Sequence, residues 1–145
     1  MNQVVSIREI EQWEPHFEEA FERLLKQLGG AGELSRARFE EMMQSKDCHL
    51  LVAEAEGSVV GMLTLALYPT LTALRGWVED VVVDAEARKR GVGRALLRKA
   101  IEIAQFKGCK TLSLTSSPHR KAAHALYHAE GFQSIATQPF RLNFE

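Results

Sequence analysis

Arg88, Gly91 and Gly93 stand in the pattern Arg-x-x-Gly-x-Gly, with Lys89, Arg90 and Arg94 among them. Residues of these types at this spacing bind anions. The run before them, Trp77 to Val83, is rich in β-branched residues and reads as a strand. After them, Val92, Leu96, Ala100 and Ile103, flanked by Leu97, Ile101 and Ala104, recur at helical spacing. A glycine-containing loop therefore leads from a strand into a helix. The first-turn amides of a helix have no partner within it, and the helix dipole adds partial positive charge there. Glycine lets a ligand come close to that backbone. The cations sharpen the reading, because each is disfavoured at a helix N-terminus by roughly 0.3–1 kcal/mol. A bound polyanion removes that conflict, although a solvated basic loop would have the same composition. The spacing matches neither the phosphate loop G-x-x-x-x-G-K-[ST] nor the dinucleotide fingerprint G-x-G-x-x-G. A generic nucleotide-phosphate binder stays open as a reading of the loop alone.

Other residues could carry chemistry nearby. Period-two geometry predicts Trp77, Glu79, Val81 and Val83 on one face of their strand, with Asp80 on the other. That sets the Glu79 carboxylate in line with three apolar residues; pairing to an arginine is the plainer use of such a group. His124 and Tyr127 at i, i+3, and His124 and His128 at i, i+4, can share helix faces. Two histidines so spaced can bind zinc, but no third ligand and no H-E-x-x-H pattern accompanies them, so no metal is expected.

The elements that must position these residues are legible in outline. A short strand is expected over 3–8. Trp13, Phe17, Ala20, Phe21, Leu24, Leu25 and Leu28 form a helical stripe ended by Gly29 and Gly30. Ser35 is an expected N-cap for a second helix, with Leu34 and Phe39 as its hydrophobic staple. Leu50–Ala53 and Val59–Leu67, split by Glu56-Gly57-Ser58, read as a hairpin. A loop over 71–75, the strand at 77–83 and a helix at 92–106 follow. Lys107 and Gly108 close that helix. A strand is expected over 111–115, then a helix with Ser117 as N-cap and Pro118 at its first position, stopping at Gly131. Residues 132–144 are expected to hold one or two more strands, divided near Pro139. The strands at 77–83 and 111–115, linked by a helix, should be parallel neighbours.

The chain has 145 residues, 46% of them hydrophobic, which suits a single domain over 1–145 with a real core. Its formal net charge of -1 argues against nucleic acid as a partner. No apolar run is long enough for a membrane span, and Met1 to Ile10 lacks a signal-peptide core, so a soluble cytoplasmic protein is expected. Cys48 and Cys109 have neither C-x-x-C nor metal spacing and are expected as reduced thiols.

The Arg88-x-x-Gly91-x-Gly93 pattern resembles the pyrophosphate-binding motif of the GNAT superfamily of acetyl-coenzyme A-dependent N-acetyltransferases. Leu126-Tyr127-His128-Ala129-Glu130-Gly131-Phe132 is similar to its recurring "LY-x-x-x-GF" segment, and with the hairpin the resemblance covers most of residues 48–133. The resemblance implies an α/β (α+β) fold: a mixed, mostly antiparallel sheet in which one parallel strand pair splays apart, flanked by about four helices. It implies acetyl-coenzyme A as cosubstrate and acetyl transfer to a primary amine, a small molecule being expected. Glu79 would be the general base that frees the amine lone pair, with Asp80 the weaker candidate. Tyr127 would be the acid near the cofactor sulfur. The backbone of Val81, Val82 and Val83 would pair with the pantetheine arm like an added strand. The amides and side chains of Arg88, Lys89, Arg90, Gly91, Val92, Gly93 and Arg94 would hold the pyrophosphate. Ser117 stands where several members have an asparagine that contacts pantetheine, and Arg120 would reach a cofactor phosphate. The 13–45 helices and the 68–76 loop would build the acceptor pocket. The Arg120, Ala123, His124 and Tyr127 pattern also looks similar to aminoalkylphosphonate acetyltransferases. A sensor module that binds acyl-coenzyme A without turnover is the alternative on the same fold, and a homodimer is left open.

Overall fold

The computed structural model describes residues 4–29 and 32–144. Residue 3 of the expected first strand and Gly30 of the expected helix stop lie outside the described residues. The elements run β1 (Ser6–Glu9), α1 (Phe17–Leu28), α2 (Arg36–Gln44), β2 (Cys48–Ala55), β3 (Ser58–Pro69), β4 (Leu74–Val83), a 3-10 turn (Ala85–Ala87), α3 (Val92–Lys107), β5 (Thr111–Ser113) and α4 (Lys121–Ala129). Two compact units result, one reaching to Thr115 and one beginning at Ser116.

The first unit is a five-stranded sheet in the order β1-β2-β3-β4-β5. Its pairs are antiparallel except β4 and β5, which run parallel over Arg75↔Thr111, Gly76↔Leu112 and Trp77↔Ser113. Beyond Trp77, β4 continues to Val83 while β5 has ended, so the parallel pair opens as expected. On one face, Phe17, Phe21 and Leu24 of α1 and Phe39 of α2 bury against Leu50, Val52, Met62 and Val82. On the other, α3 packs through Leu96, Leu97, Ala100 and Ala104. Gly61 lets it sit close, since a Cβ there would lie 3.0 Å from Val92 Cγ1 and 3.2 Å from Leu96 Cδ1.

Several boundaries differ from the expectations, each for a local reason. Trp13 is not in α1, because Pro15 disfavours a helical conformation at Glu14 and the helix starts at Phe17. Trp13 instead packs edge-on against Phe17, Phe21 and Phe39 at 5.0–6.1 Å, with the Arg36 guanidinium 3.9 Å from its ring centre. The hairpin turn is Glu56-Gly57 alone, both at positive φ, and Ser58 already belongs to β3. The expected loop at 71–75 is shorter, because β4 begins at Leu74.

In the second unit, Ser117-Pro118 does not open α4. The Arg120 amide donates to the Ser117 carbonyl at 3.1 Å, so Ser117 to Arg120 form a turn with proline at its second position, and the helix starts at Lys121. The strands expected within 132–144 are not formed among the described residues. A strand needs a ladder of partners for its amides and carbonyls, and no such ladder runs along this segment among the described residues.

Candidate active site

A bulge in β4 organises the site. Thr64 of β3 faces Glu79, and Met62 faces Val82, so Leu63 is matched by both Asp80 and Val81. Asp80 carries the extra residue with φ 51, a left-handed conformation that aspartate tolerates better than most. The bulge exchanges the two edges of the strand. Before it, the Leu74 carbonyl accepts from the Lys110 amide on the β5 side; after it, the Asp84 amide donates to the Val60 carbonyl on the β3 side. Both positions are even-numbered. Past the bulge the backbone groups of Val81 and Val83 therefore turn away from β3, toward the edge that β5 has vacated.

The side chains are re-sorted in the same way. Val78 lies opposite Leu65 before the step and Val82 opposite Met62 after it, and Met62 and Val82 join the core under α1 and α2. The single face expected for Trp77, Glu79, Val81 and Val83 is thus broken. Glu79 lies beside Thr64, which pairs with core residue Leu50, on the α1–α2 face. Val83 lies opposite Gly61, on the α3 face. Glu79 and Asp80 are both exposed at the step, and no sequence periodicity announces it.

After β4 the chain is anchored rather than loose. Asp84 is buried, at 9% exposure. One of its carboxylate oxygens accepts from the Glu86 amide at 3.2 Å and the other from Arg23 Nε at 3.0 Å. Gln27 donates to Asp84 at 3.4 Å and accepts from the Ala85 amide at 2.8 Å. Arg23 also donates to the Val59 carbonyl at 2.8 Å and is gripped by Glu19. Burial pushes the Asp84 carboxyl up, but the Glu86 amide, Arg23 and Gln27 outweigh it and hold it below the usual range. Sequence reasoning missed this anchor. Its one local signal was an aspartate two residues before an acidic residue at the end of a strand.

The anchored loop delivers Arg88, Lys89 and Arg90, all exposed, to the start of α3. Lys89 has φ 67, and Gly91 is the N-cap in the left-handed region, φ 78 and ψ 14. A Cβ at Gly91 would meet nothing within 4 Å, so glycine is required there by backbone conformation and not by crowding. No side chain caps the helix. Its first internal bond is Ala95 N to Gly91 O at 3.0 Å, which leaves the Val92 and Gly93 amides for a partner from outside. A helix start with exposed cations and the open amides of Val92 and Gly93 suits a pyrophosphate, and the outward-turned backbone of Val81 and Val83 suits an extended amide-bearing arm.

The second unit holds Ser117, Arg120 and Tyr127. His124 Nε2 donates to the Ser117 carbonyl at 2.9 Å, and His128 Nδ1 donates to the Phe132 carbonyl at 3.2 Å. The Phe132 amide returns to the Tyr127 carbonyl at 2.9 Å, around Gly131 at φ 100, and the Tyr127 and Phe132 rings meet edge-to-face at 6.1 Å. Both histidines thus serve the turns at the two ends of α4. Burial pushes the Tyr127 phenol above its ordinary value, and the positive charge of Arg120 pulls the other way.

The defining pattern of the acetyltransferase (GNAT) family matches residues 7–132. The chain is 35% identical over 133 residues, 83% of its own length and 79% of the relative's, to a protein of Oryza sativa subsp. japonica named "Probable glucosamine 6-phosphate N-acetyltransferase 2". A solved structure described as a transcriptional regulator from Bacillus halodurans C-125 matches with a TM-score of 0.84 at 28% identity, over 97% of this chain and 100% of that one. The fold is also that of the aminoglycoside N-acetyltransferase AAC(6')-Iy in complex with CoA, with a TM-score of 0.80 at 20% identity, over 99% and 97% of the two chains. Among the described residues no helix is long and apolar enough to cross a membrane. The family uses acetyl-coenzyme A, and that is the cosubstrate here. With its open parallel strand pair, its bulged central strand and its uncapped basic helix start, the chain belongs to the GNAT family of acetyltransferases and is an acyltransferase.

Proposed function

We propose that the chain is one catalytic domain that moves the acetyl group of acetyl-coenzyme A to the primary amine of a small molecule, by direct attack. The observation that carries this reading is the uncapped start of α3 under Gly91 and its exposed cations. The amides of Lys89 to Arg94 hold the pyrophosphate, and Arg88, Lys89, Arg90 and Arg94 neutralise it. The backbone of Val81, Val82 and Val83 binds the pantetheine arm, and Ser117 and Arg120 are the further cofactor contacts that the family resemblance implies. The cosubstrate supplies the acetyl thioester. Glu79, on the α1–α2 face, accepts the ammonium proton, so that the amine lone pair can attack the carbonyl carbon. The Tyr127 hydroxyl donates to the departing thiolate. It is a weak acid in this role, since burial raises its pKa, so its contribution is a hydrogen bond that strengthens as charge grows on sulfur. The rice relative's name makes amino-sugar phosphates the first acceptors to try. No nucleic acid, membrane or metal enters the reaction, which we place in the cytoplasm.

The test is turnover, followed as free thiol, against a panel of amines that includes glucosamine 6-phosphate. Glu79→Gln should lower turnover most at pH below the amine's own pKa, where the substrate is mainly ammonium. A pH–rate profile that overlies wild type would remove Glu79 from the mechanism. Tyr127→Phe should lower turnover while the Kd for acetyl-coenzyme A barely changes. Full activity in that variant would dismiss the acid.

A further inference from the structure

Between Asp84 and Val92 the loop that carries Arg88, Lys89 and Arg90 does little to fix its own shape. Ala87 is buried, whereas Ala85, Glu86 and the residues from Arg88 to Gly91 are exposed. Lys89 and Gly91 both stand at positive φ, 67 and 78, a conformation that a lysine seldom adopts unaided. The shape is therefore imposed from outside the loop, and the groups that impose it come from α1. Arg23 spreads its fork over two strand ends: Nε donates to Asp84 at 3.0 Å and Nη2 to the Val59 carbonyl at 2.8 Å. One turn further on, Gln27 accepts from the Ala85 amide at 2.8 Å. One turn back, Glu19 holds Arg23 through both carboxylate oxygens. Glu19, Arg23 and Gln27 succeed one another at i, i+4 spacing, as one polar stripe. Docking of α1 does not depend on that stripe, because Phe17, Ala20, Phe21 and Leu24 are the residues it buries.

We propose that Arg23 is a positioning residue: acting through Asp84, with Gln27 beside it, it holds residues 85–91 in the shape that takes the cofactor pyrophosphate, and so sets the affinity for acetyl-coenzyme A. This role rests on the loop being the pyrophosphate site proposed above. A loop already held in its binding shape loses less conformational entropy when the ligand arrives. The reacting atoms are not involved, so the effect falls on binding and not on turnover at saturation. A lysine in place of Arg23 keeps the charge but has a single ammonium group, which cannot span Asp84 and Val59 as the planar fork does.

The test is calorimetric titration of acetyl-coenzyme A into the full chain and its variants, beside their melting temperatures. Arg23→Ala should keep one site per chain and raise Kd about tenfold, by loss of loop preorganisation. Arg23→Lys should fall between the two. Gln27→Ala, which removes one contact, should raise Kd about threefold. A lowered melting temperature with wild-type Kd in Arg23→Ala overturns the proposal, since the contacts then serve stability alone. Arg88→Glu is measured in parallel. If it weakens binding and Arg23→Ala does not, the positioning role fails and the pyrophosphate site stands. If neither weakens binding, the site lies elsewhere and the role falls with it. Should Arg23→Ala fail to fold, Gln27→Ala decides: an unchanged Kd in that variant overturns the proposal.

Discussion

Two helix starts in the first unit solve the same problem in opposite ways. At α2 the Ser35 side chain accepts from the Arg38 amide at 3.1 Å, and the N-cap residue is extended, φ -122 and ψ 114. The helix satisfies one of its own first-turn amides, as a structural helix should. At α3 the N-cap is Gly91 in the left-handed region, with no side-chain cap, beside Arg88, Lys89 and Arg90. Nothing about folding favours that choice: the cations oppose the dipole, and the Val92 and Gly93 amides are left over. Under the proposed function, the difference separates a helix end built for stability from one built for a ligand. The surrounding structure supports the second by other means, through the Asp84, Arg23 and Gln27 anchor.

The comparison breaks most visibly at Gly91 and Arg88. Gly91→Val must adopt a positive φ that a β-branched residue avoids. It should weaken acetyl-coenzyme A binding at least tenfold, or about 1.4 kcal/mol, by calorimetry. Gly91→Asn, which tolerates the left-handed region, should lose less. Arg88→Glu should also cost at least tenfold, because it replaces charge-assisted contacts with repulsion. If these variants bind as wild type does, the pyrophosphate site is elsewhere.

A smaller effect belongs to the anchor. Asp84→Asn should destabilise the first unit by about 1–3 kcal/mol in denaturant titration at neutral pH, since Arg23 is left half-buried beside a weaker partner. The pH dependence has a definite sign. The Asp84 carboxyl sits below its ordinary value in the folded protein, so its share of stability is present above the unfolded value of about 3.9 and is lost as pH falls through the lower folded value. The gap between wild type and Asp84→Asn should therefore close on acidification, and a constant gap would argue against an ionised Asp84.

The smallest effect is at the other helix. Ser35→Ala should cost roughly 1 kcal/mol of stability and leave the Kd for acetyl-coenzyme A unchanged. A loss of binding in that variant would erase the distinction between the two helix starts.

What the sequence announced and what it hid follow from range. The Ser35 cap, the Arg88-x-x-Gly91-x-Gly93 loop and the start of α3 at Val92 are local patterns, and each stands where expected. The strand order rested on the family resemblance and on the strand–helix–strand rule. The bulge at Asp80 was invisible because alternation counts residues and cannot see one being skipped; it divided a face that period two had drawn whole. Arg23 was invisible for a different reason. Its partners are Asp84 and Val59, far along the chain, and no local spacing on α1 points to them. Ser117-Pro118 misled because serine then proline opens a turn as readily as a helix. The strands expected after Gly131 did not form, because a strand pattern specifies a face and not a partner.

The amide resonances of the two helix starts give the most direct test of the central claim, that α3 keeps its first-turn amides for the cofactor. Titrating acetyl-coenzyme A into 15N-labelled protein should shift Gly91, Val92, Gly93 and Arg94 strongly, together with Val81 and Val83, and leave Arg36 to Arg38 at their free positions. Unmoved amides at 91–94 under saturating cofactor would contradict it.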